Sequence, residues 1–229
     1  MNKQFWITVL CEGKTEQKFI KSILSPYFQQ KNIIMTPIIV SKKGEKGGDV
    51  KFQRVKGDIV TALSQSNISA VTTFVDYYGI KEWPGKNDVL QNSTPEQIAD
   101  CLNQATKNAI CSKYDNLNPQ NRFIPFVAVH EFETLLFSNS KVLAEHLHIE
   151  QNKVDEVLSE HDGCPEKINN SPETAPSKRL EKWDARYGKT TAGIAIADAI
   201  GIDEMRKKCP LFDAWLRTLE RKAEEFYAS

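Results

Sequence analysis

Three apolar runs in the chain end in acids. FWITVL at 5–10 leads through Cys11 to Glu12, VTTFVD at 71–76 ends in Asp76, and FIPFVAV at 123–129 leads to His130, Glu131 and, two residues on, Glu133. Carboxylates delivered from separate strand ends to one rim are what a hard divalent cation such as Mg²⁺ or Mn²⁺ requires, because such ions take oxygen ligands and hold phosphate oxygens through their open positions. The plainer alternative for any one acid is a helix N-terminus capped by it, or a solvated loop. It weakens for the set, since three strand ends must each place an acid by chance. His130 is a candidate proton-transfer group, beside the commoner role of a satisfied structural histidine.

Phosphodiester chemistry also needs cations to offset charge that builds in the transition state. The segment 41–56 carries Lys42, Lys43, Lys46, Lys51, Arg54 and Lys56 against Glu45 and Asp49, with three glycines that allow close backbone approach. It is the best nucleic-acid-facing segment, a flexible solvated loop being the alternative. A second basic cluster holds Lys178, Arg179, Lys182, Arg186 and Lys189, for which a helix face of surface ion pairs is the plainer reading.

The elements that must position these groups alternate. After the first strand a helix starts at Thr15, with apolar Phe19, Ile20, Ile23 and Leu24; TPIIV at 36–40 reads as a second strand, followed by a helix through Ile59 and Leu63. Thr94-Pro95-Glu96-Gln97 has the form of a capping box and predicts a helix to about 110. HEFETLLF at 130–137 has helical spacing. Alternating strands and helices predict an α/β fold, a mostly parallel sheet of about four strands flanked by helices. From about 141 onward only helical patterns remain, including TTAGIAIADAIG at 190–201 and a last helix from 210 to about 227, so residues 1–140 read as the sheet core and 141–229 as a helical cap.

Composition bounds the function. The 229 residues carry 30 Lys plus Arg and 30 Asp plus Glu, so any nucleic-acid site must be a local patch on a neutral protein. The first apolar run is too short for a signal core or a membrane span, which predicts no membrane association. Five cysteines without a C-x-x-C pair write neither a disulfide framework nor a zinc site and point to a reducing cytoplasm.

Taken in order, Glu12-Gly13-Lys14-Thr15-Glu16, FVDYYG, VHEFETLLF, PSKRL at 176–180, YGKT at 187–190 and CPLFDAWL at 209–216 cover nearly the whole chain. This series resembles a bacterial family, domain-of-unknown-function family 4276, which is TOPRIM-like. The resemblance implies a TOPRIM fold related to the overcoming-lysogenization-defect nucleases. In those families a Glu after the first strand and an Asp-x-Asp after a later one gather Mg²⁺. Glu12 and Asp76 match the first two positions, whereas Tyr78 stands in place of the second Asp. By that resemblance Glu12 and Asp76 hold the metal, Glu131 or Glu133 supplies the missing oxygen, and a late lysine, Lys178 or Lys189, offsets charge. It also implies a separate ATPase partner in defence against phage.

Gly13-Lys14-Thr15 and Gly188-Lys189-Thr190 are not P-loops, because Thr8 and Trp183 occupy the positions where the first glycine of that loop belongs. Trp83, Tyr77 and Tyr78 sit beside the acids and could stack on a base, while Trp183 and Trp215 fit apolar stripes of the core. The leading expectation is a Mg²⁺-dependent nuclease or nuclease subunit acting on DNA or RNA. The alternatives are a binding or regulatory module that docks on an ATPase partner without cutting, and a small-molecule phosphotransferase or phosphatase.

Overall fold

The computed structural model describes residues 4–40, 50–168 and 173–229. Among the described residues seven strands form, in chain order β1 (Phe5–Cys11), β2 (Ile33–Ile39), β3 (Val50–Lys51), β4 (Ala70–Asp76), β5 (Ile80–Lys81), β6 (Phe123–Ile124) and β7 (Val127–Ala128). The main sheet has five strands in the order β2-β1-β4-β6, with β7 pairing further along β4, and every pairing is parallel. β3 and β5 make a separate two-residue parallel pair. The α/β class and the mostly parallel sheet predicted from the alternation of patterns are both present.

The two faces of the sheet sort by residue parity, as the two-residue period of a strand requires. Ile7, Val9 and Cys11 of β1 face Phe19, Phe28, Phe212 and Trp215, whereas Leu10 joins Val71 and Val75 against Val55, Ile59, Leu102 and Ile110. The helical rod over residues 14–29 and the last helix, Pro210–Ala228, thus cover one face. Helices Phe52–Leu63 and Pro95–Cys111 cover the other. Trp215 anchors the last helix: its ring stacks on Phe126 at 4.4 Å and 3°, and its Nε1–H donates to Thr72 Oγ1 at 2.9 Å.

Helix 95–111 starts where its signal places it. Thr94 Oγ1 accepts from the Gln97 N–H and Gln97 Oε1 accepts from the Thr94 N–H, with Pro95 at the first position. Thr94→Ala is expected to lower stability by about 1 kcal/mol, measured by urea denaturation. The first rod is less regular: Ile20–Leu24 winds as a π-helical turn directly ahead of Pro26. Proline has no N–H for the carbonyl four residues back, and the wider turn accommodates the mismatch.

Three expectations fail in detail. The run at 123–129 is not one strand, because Pro125 cannot donate to the ladder and splits it into β6 and β7. The gap is bridged by Thr73, whose Oγ1 accepts from the Phe126 N–H at 2.9 Å and donates to the Phe126 carbonyl at 3.0 Å. HEFETLLF yields no α-helix but 3₁₀ turns over Phe132–Ser138, every residue of which is buried. Trp83, expected beside the site, is core: it is 5% exposed, donates to Thr106 Oγ1 and meets Phe52 edge-on.

Candidate metal centre

β1 and β4 are parallel neighbours, with Cys11 opposite Phe74, so Glu12 and Asp76 emerge at one rim. One hydrogen bond locks the two together: Glu12 Oε2 accepts from the Asp76 N–H at 3.1 Å. The chain then turns through Tyr77 and Tyr78, and the Gly79 N–H donates to the Asp76 carbonyl at 3.1 Å. Gly79 lies so close to Glu12 that a Cβ built there would sit 2.3 Å from Oε1. The absence of a side chain at Gly79 is what leaves room for the Glu12 carboxylate.

β7 brings the third acidic segment to the same rim by pairing Ala128 with Asp76. Glu133 follows on the 3₁₀ turns and is 1% exposed. Lys189, from the π-helical turn Lys189–Gly193, lies 3.1 Å from Glu133 Oε1 and 3.7 Å from Glu131 Oε1. The other oxygen of Glu131 accepts from the Ser177 N–H at 3.0 Å, in the first turn of helix Pro176–Trp183. Glu131 therefore serves partly as the helix cap that is the ordinary fate of an acid after a strand.

Glu16 joins this cluster and was missed as a site residue in the sequence. It lies in the first turn of the first helix, is 8% exposed, and packs against Gly13. Its four-residue spacing from Glu12 is the signal that marks it: Gly13 turns the chain into the helix and carries the second carboxylate back toward the rim.

The electrostatics follow from five carboxylates facing one ammonium. Burial, then the charges of Glu16, Glu12, Glu133 and Glu131, push the Asp76 carboxyl well above the usual carboxylate range. Burial also raises Glu133 and Glu16; Lys189 opposes the rise in both, and Glu131 adds to it. Lys189 itself is lowered by burial, but Glu133 and Glu131 more than offset this and the net direction is up. Tyr187, partly buried beside Glu133, is raised by burial and by that negative charge. Asp76 Oδ1 is buried without a hydrogen-bond partner, whereas Glu133 Oε1 has the Lys189 ammonium at 3.1 Å.

The remaining candidates are placed elsewhere or differently. Lys178 is exposed and paired with Glu181, and the Arg179 Nε–H donates to the Thr174 carbonyl at 2.9 Å, so of the two late lysines it is Lys189 that reaches the acids. Lys51 pairs with Glu82 at 2.7 Å, and Arg54 is exposed on helix 52–63. Lys42, Lys43 and Lys46 lie outside the described residues. Tyr78, half-exposed, stacks over His130 at 6.4 Å.

The His130 ring is buried and neither nitrogen has a hydrogen-bond partner. Burial lowers its pKa to about 4, although the nearby Glu166 backbone and Glu131 favour the charged ring. It borders a small cavity of about 20 Å³ with Glu166, whose two oxygens accept from the Leu211 and Phe212 N–H groups at the start of the last helix. Glu166 is a second acid used as a cap, and burial pushes its carboxyl up to about 7.

The donor chemistry suits a hard cation: all oxygen, strongly negative, with an orphaned buried oxygen on Asp76. The oxygens do not yet converge, and among the described residues no three His, Cys, Asp or Glu side chains stand close enough together to hold an ion. Glu12, Asp76, Glu133 and Glu16 are the residues that would hold one.

A solved structure, the C-terminal region of the Xanthomonas campestris pv. campestris OLD protein, aligns over 97% of this chain and 98% of its own, at 13% identity and a TM-score of 0.43. That likeness is too distant to carry residue roles from one chain to the other. No curated protein matches the sequence. The model of the family described as Domain of unknown function (DUF4276) matches residues 11–220, a span that begins one residue before Glu12 and takes in every acid of the rim and Lys189. The chain belongs to that family.

Proposed function

We propose that the acid rim binds Mg²⁺ or Mn²⁺ and that the protein is a TOPRIM-like, metal-dependent nuclease or nuclease subunit cleaving DNA or RNA phosphodiesters. The observation that supports this best is Asp76: a half-buried residue whose carboxylate faces four others and whose buried Oδ1 no protein donor satisfies. Burying a charge in that way is costly unless a cation compensates it. A bound divalent ion supplies Lewis-acid polarisation of a phosphoryl oxygen and an activated water. Glu12, Asp76, Glu133 and Glu16 would hold it, and the Lys189 ammonium would offset charge developing on the phosphate. Because neither Gly-Lys-Thr string is a P-loop, ATP hydrolysis coupled to this activity would come from a separate ATPase, as expected of a role in defence against phage.

A second reading rests on Lys189 and Tyr78. The lysine already places a positive charge 3.1 Å from Glu133, and a tyrosine replaces one carboxylate of the expected set. In that reading Lys189 is the resident cation, and the domain binds a phosphate-bearing ligand or an ATPase partner without cutting.

Isothermal titration of Mg²⁺ and Mn²⁺ into wild type and the Glu12→Gln/Asp76→Asn variant, with plasmid and tRNA cleavage on the same samples, separates the two. The nuclease reading expects binding and cleavage in wild type and neither in the variant. Cleavage that persists undiminished in the variant would sink it. A wild type that neither binds metal nor cleaves leaves the regulatory module.

A further inference from the structure

Several surface lysines of the described chain have a carboxylate in reach. Lys31 pairs with Glu220, Lys167 with Asp162, Lys178 with Glu181, Lys207 with Glu204 and Lys222 with Glu225. Lys14, Lys18 and Lys21 on the first helical rod do not: all three are exposed, and none forms an ion pair among the described residues. They line one groove of about 330 Å³ together with Gln17, Ile39 and Thr190. The Lys18 Nζ donates to the Thr190 carbonyl at 2.7 Å, which fixes the far wall without neutralising the charge.

The groove's position gives these lysines a direction. Lys14 is two residues from Glu12, and Thr190 follows Lys189, whose ammonium faces Glu133. The row runs seven residue steps along a helical rod, about 10 Å at 1.5 Å per residue, and its Lys14 end is the one nearest Glu12 in the chain. Three unneutralised charges in a line, not gathered at a point, suit a linear polyanion better than a single phosphate group.

We infer that the Lys14, Lys18 and Lys21 groove carries the phosphodiester backbone of one nucleic-acid strand to the acid rim. This rests on the nuclease reading above, for which it names the path of the substrate.

The test is fluorescence anisotropy with a labelled 20-nucleotide single-stranded DNA in EDTA, between 50 and 200 mM salt. Each phosphate neutralised contributes roughly 0.7 to the slope of log affinity against log salt for a single strand. The Lys14→Gln/Lys18→Gln/Lys21→Gln variant is expected to flatten the slope by about 2 and weaken binding at least roughly tenfold. Lys14→Gln/Lys21→Gln, which spares the Lys18 contact to Thr190, is expected to flatten it by about 1.4. Lys167→Gln/Lys207→Gln, at lysines paired elsewhere, is expected to change neither.

Three results overturn the inference: no binding by wild type, an unchanged slope in a triple variant with wild-type circular dichroism and melting, or polyglutamate binding with the same dependence on the three lysines. Failure of the nuclease reading looks different. In that case the salt slope survives in wild type and in Glu12→Gln/Asp76→Asn, while metal titration and cleavage show nothing.

Discussion

Asp76→Asn is expected to raise the melting temperature of the metal-free protein at pH 8 by roughly 2–8 °C, corresponding to about 1–2 kcal/mol for a chain of this size. The same substitution is expected to weaken Mg²⁺ binding roughly 100-fold or more, since a lost ligand costs at least what a lost supporting group does. Both effects have one cause. The wild-type carboxylate is raised because it is buried and surrounded by Glu16, Glu12, Glu133 and Glu131. An amide of the same shape removes that charge and offers N–H donors to the carboxylates around it.

The sign of the pH dependence follows. A folded-state pKa above the unfolded value means that the native state holds the proton more tightly, so stability is fully present below the ordinary carboxylate range and is lost as pH rises through the raised value. Asp76, Glu16 and Glu133 all shift in that direction. The melting temperature of wild type in EDTA is therefore expected to fall as pH rises from 5 to 8, and to fall less steeply in Asp76→Asn. Mg²⁺ at saturating concentration should restore wild type at pH 8 and leave the variant unmoved, because a ligand stabilises only the state that binds it. A variant melting at or below wild type across that range would show that the Asp76 charge carries no penalty, and with it would go the main support for a cation at the rim.

Much of this was legible in the sequence because strands and their ends are local features. FWITVL and VTTFVD are apolar runs long enough to be buried on both faces, and the acids that follow them emerge at one rim because parallel strands share a carboxyl end. What escaped depended on partners distant in the chain. Trp83 lies in a polar segment with no periodicity, and only helix 95–111, which brings Thr106 to its indole, makes it a core residue. Glu131 and Glu166 gave no local sign of their work, since the helices they cap begin at Pro176 and Pro210. Lys189 and Lys178 were indistinguishable by spacing. The π-helical turn at 189–193 aims one inward, while the regular helix at 176–183 leaves the other beside Glu181.

Gly79→Ala is the substitution expected to separate the site from the fold. Gly79 needs no glycine for its backbone conformation, and its hydrogen bonds to Asp76 and Val50 use main-chain atoms that alanine keeps. The new methyl would lie 2.3 Å from Glu12 Oε1, 2.6 Å from Oε2 and 2.7 Å from Cδ, well inside any tolerable contact. A carboxylate at the end of a flexible side chain yields more easily than backbone, so the clash should be relieved by Glu12 swinging away and giving up its hydrogen bond from the Asp76 N–H. The expected cost in stability is about 1 kcal/mol, the loss of one such bond to a charged acceptor less what the side chain regains in solvent. Affinity for Mg²⁺ should fall roughly 10- to 100-fold, as when a group that positions a ligand is lost. Urea denaturation and titration calorimetry on the same preparation measure both. Undiminished metal binding in a folded Gly79→Ala protein would remove Glu12 from the ligand set. Collapse of the fold would instead mean that the Glu12 bond to β4 is structural first.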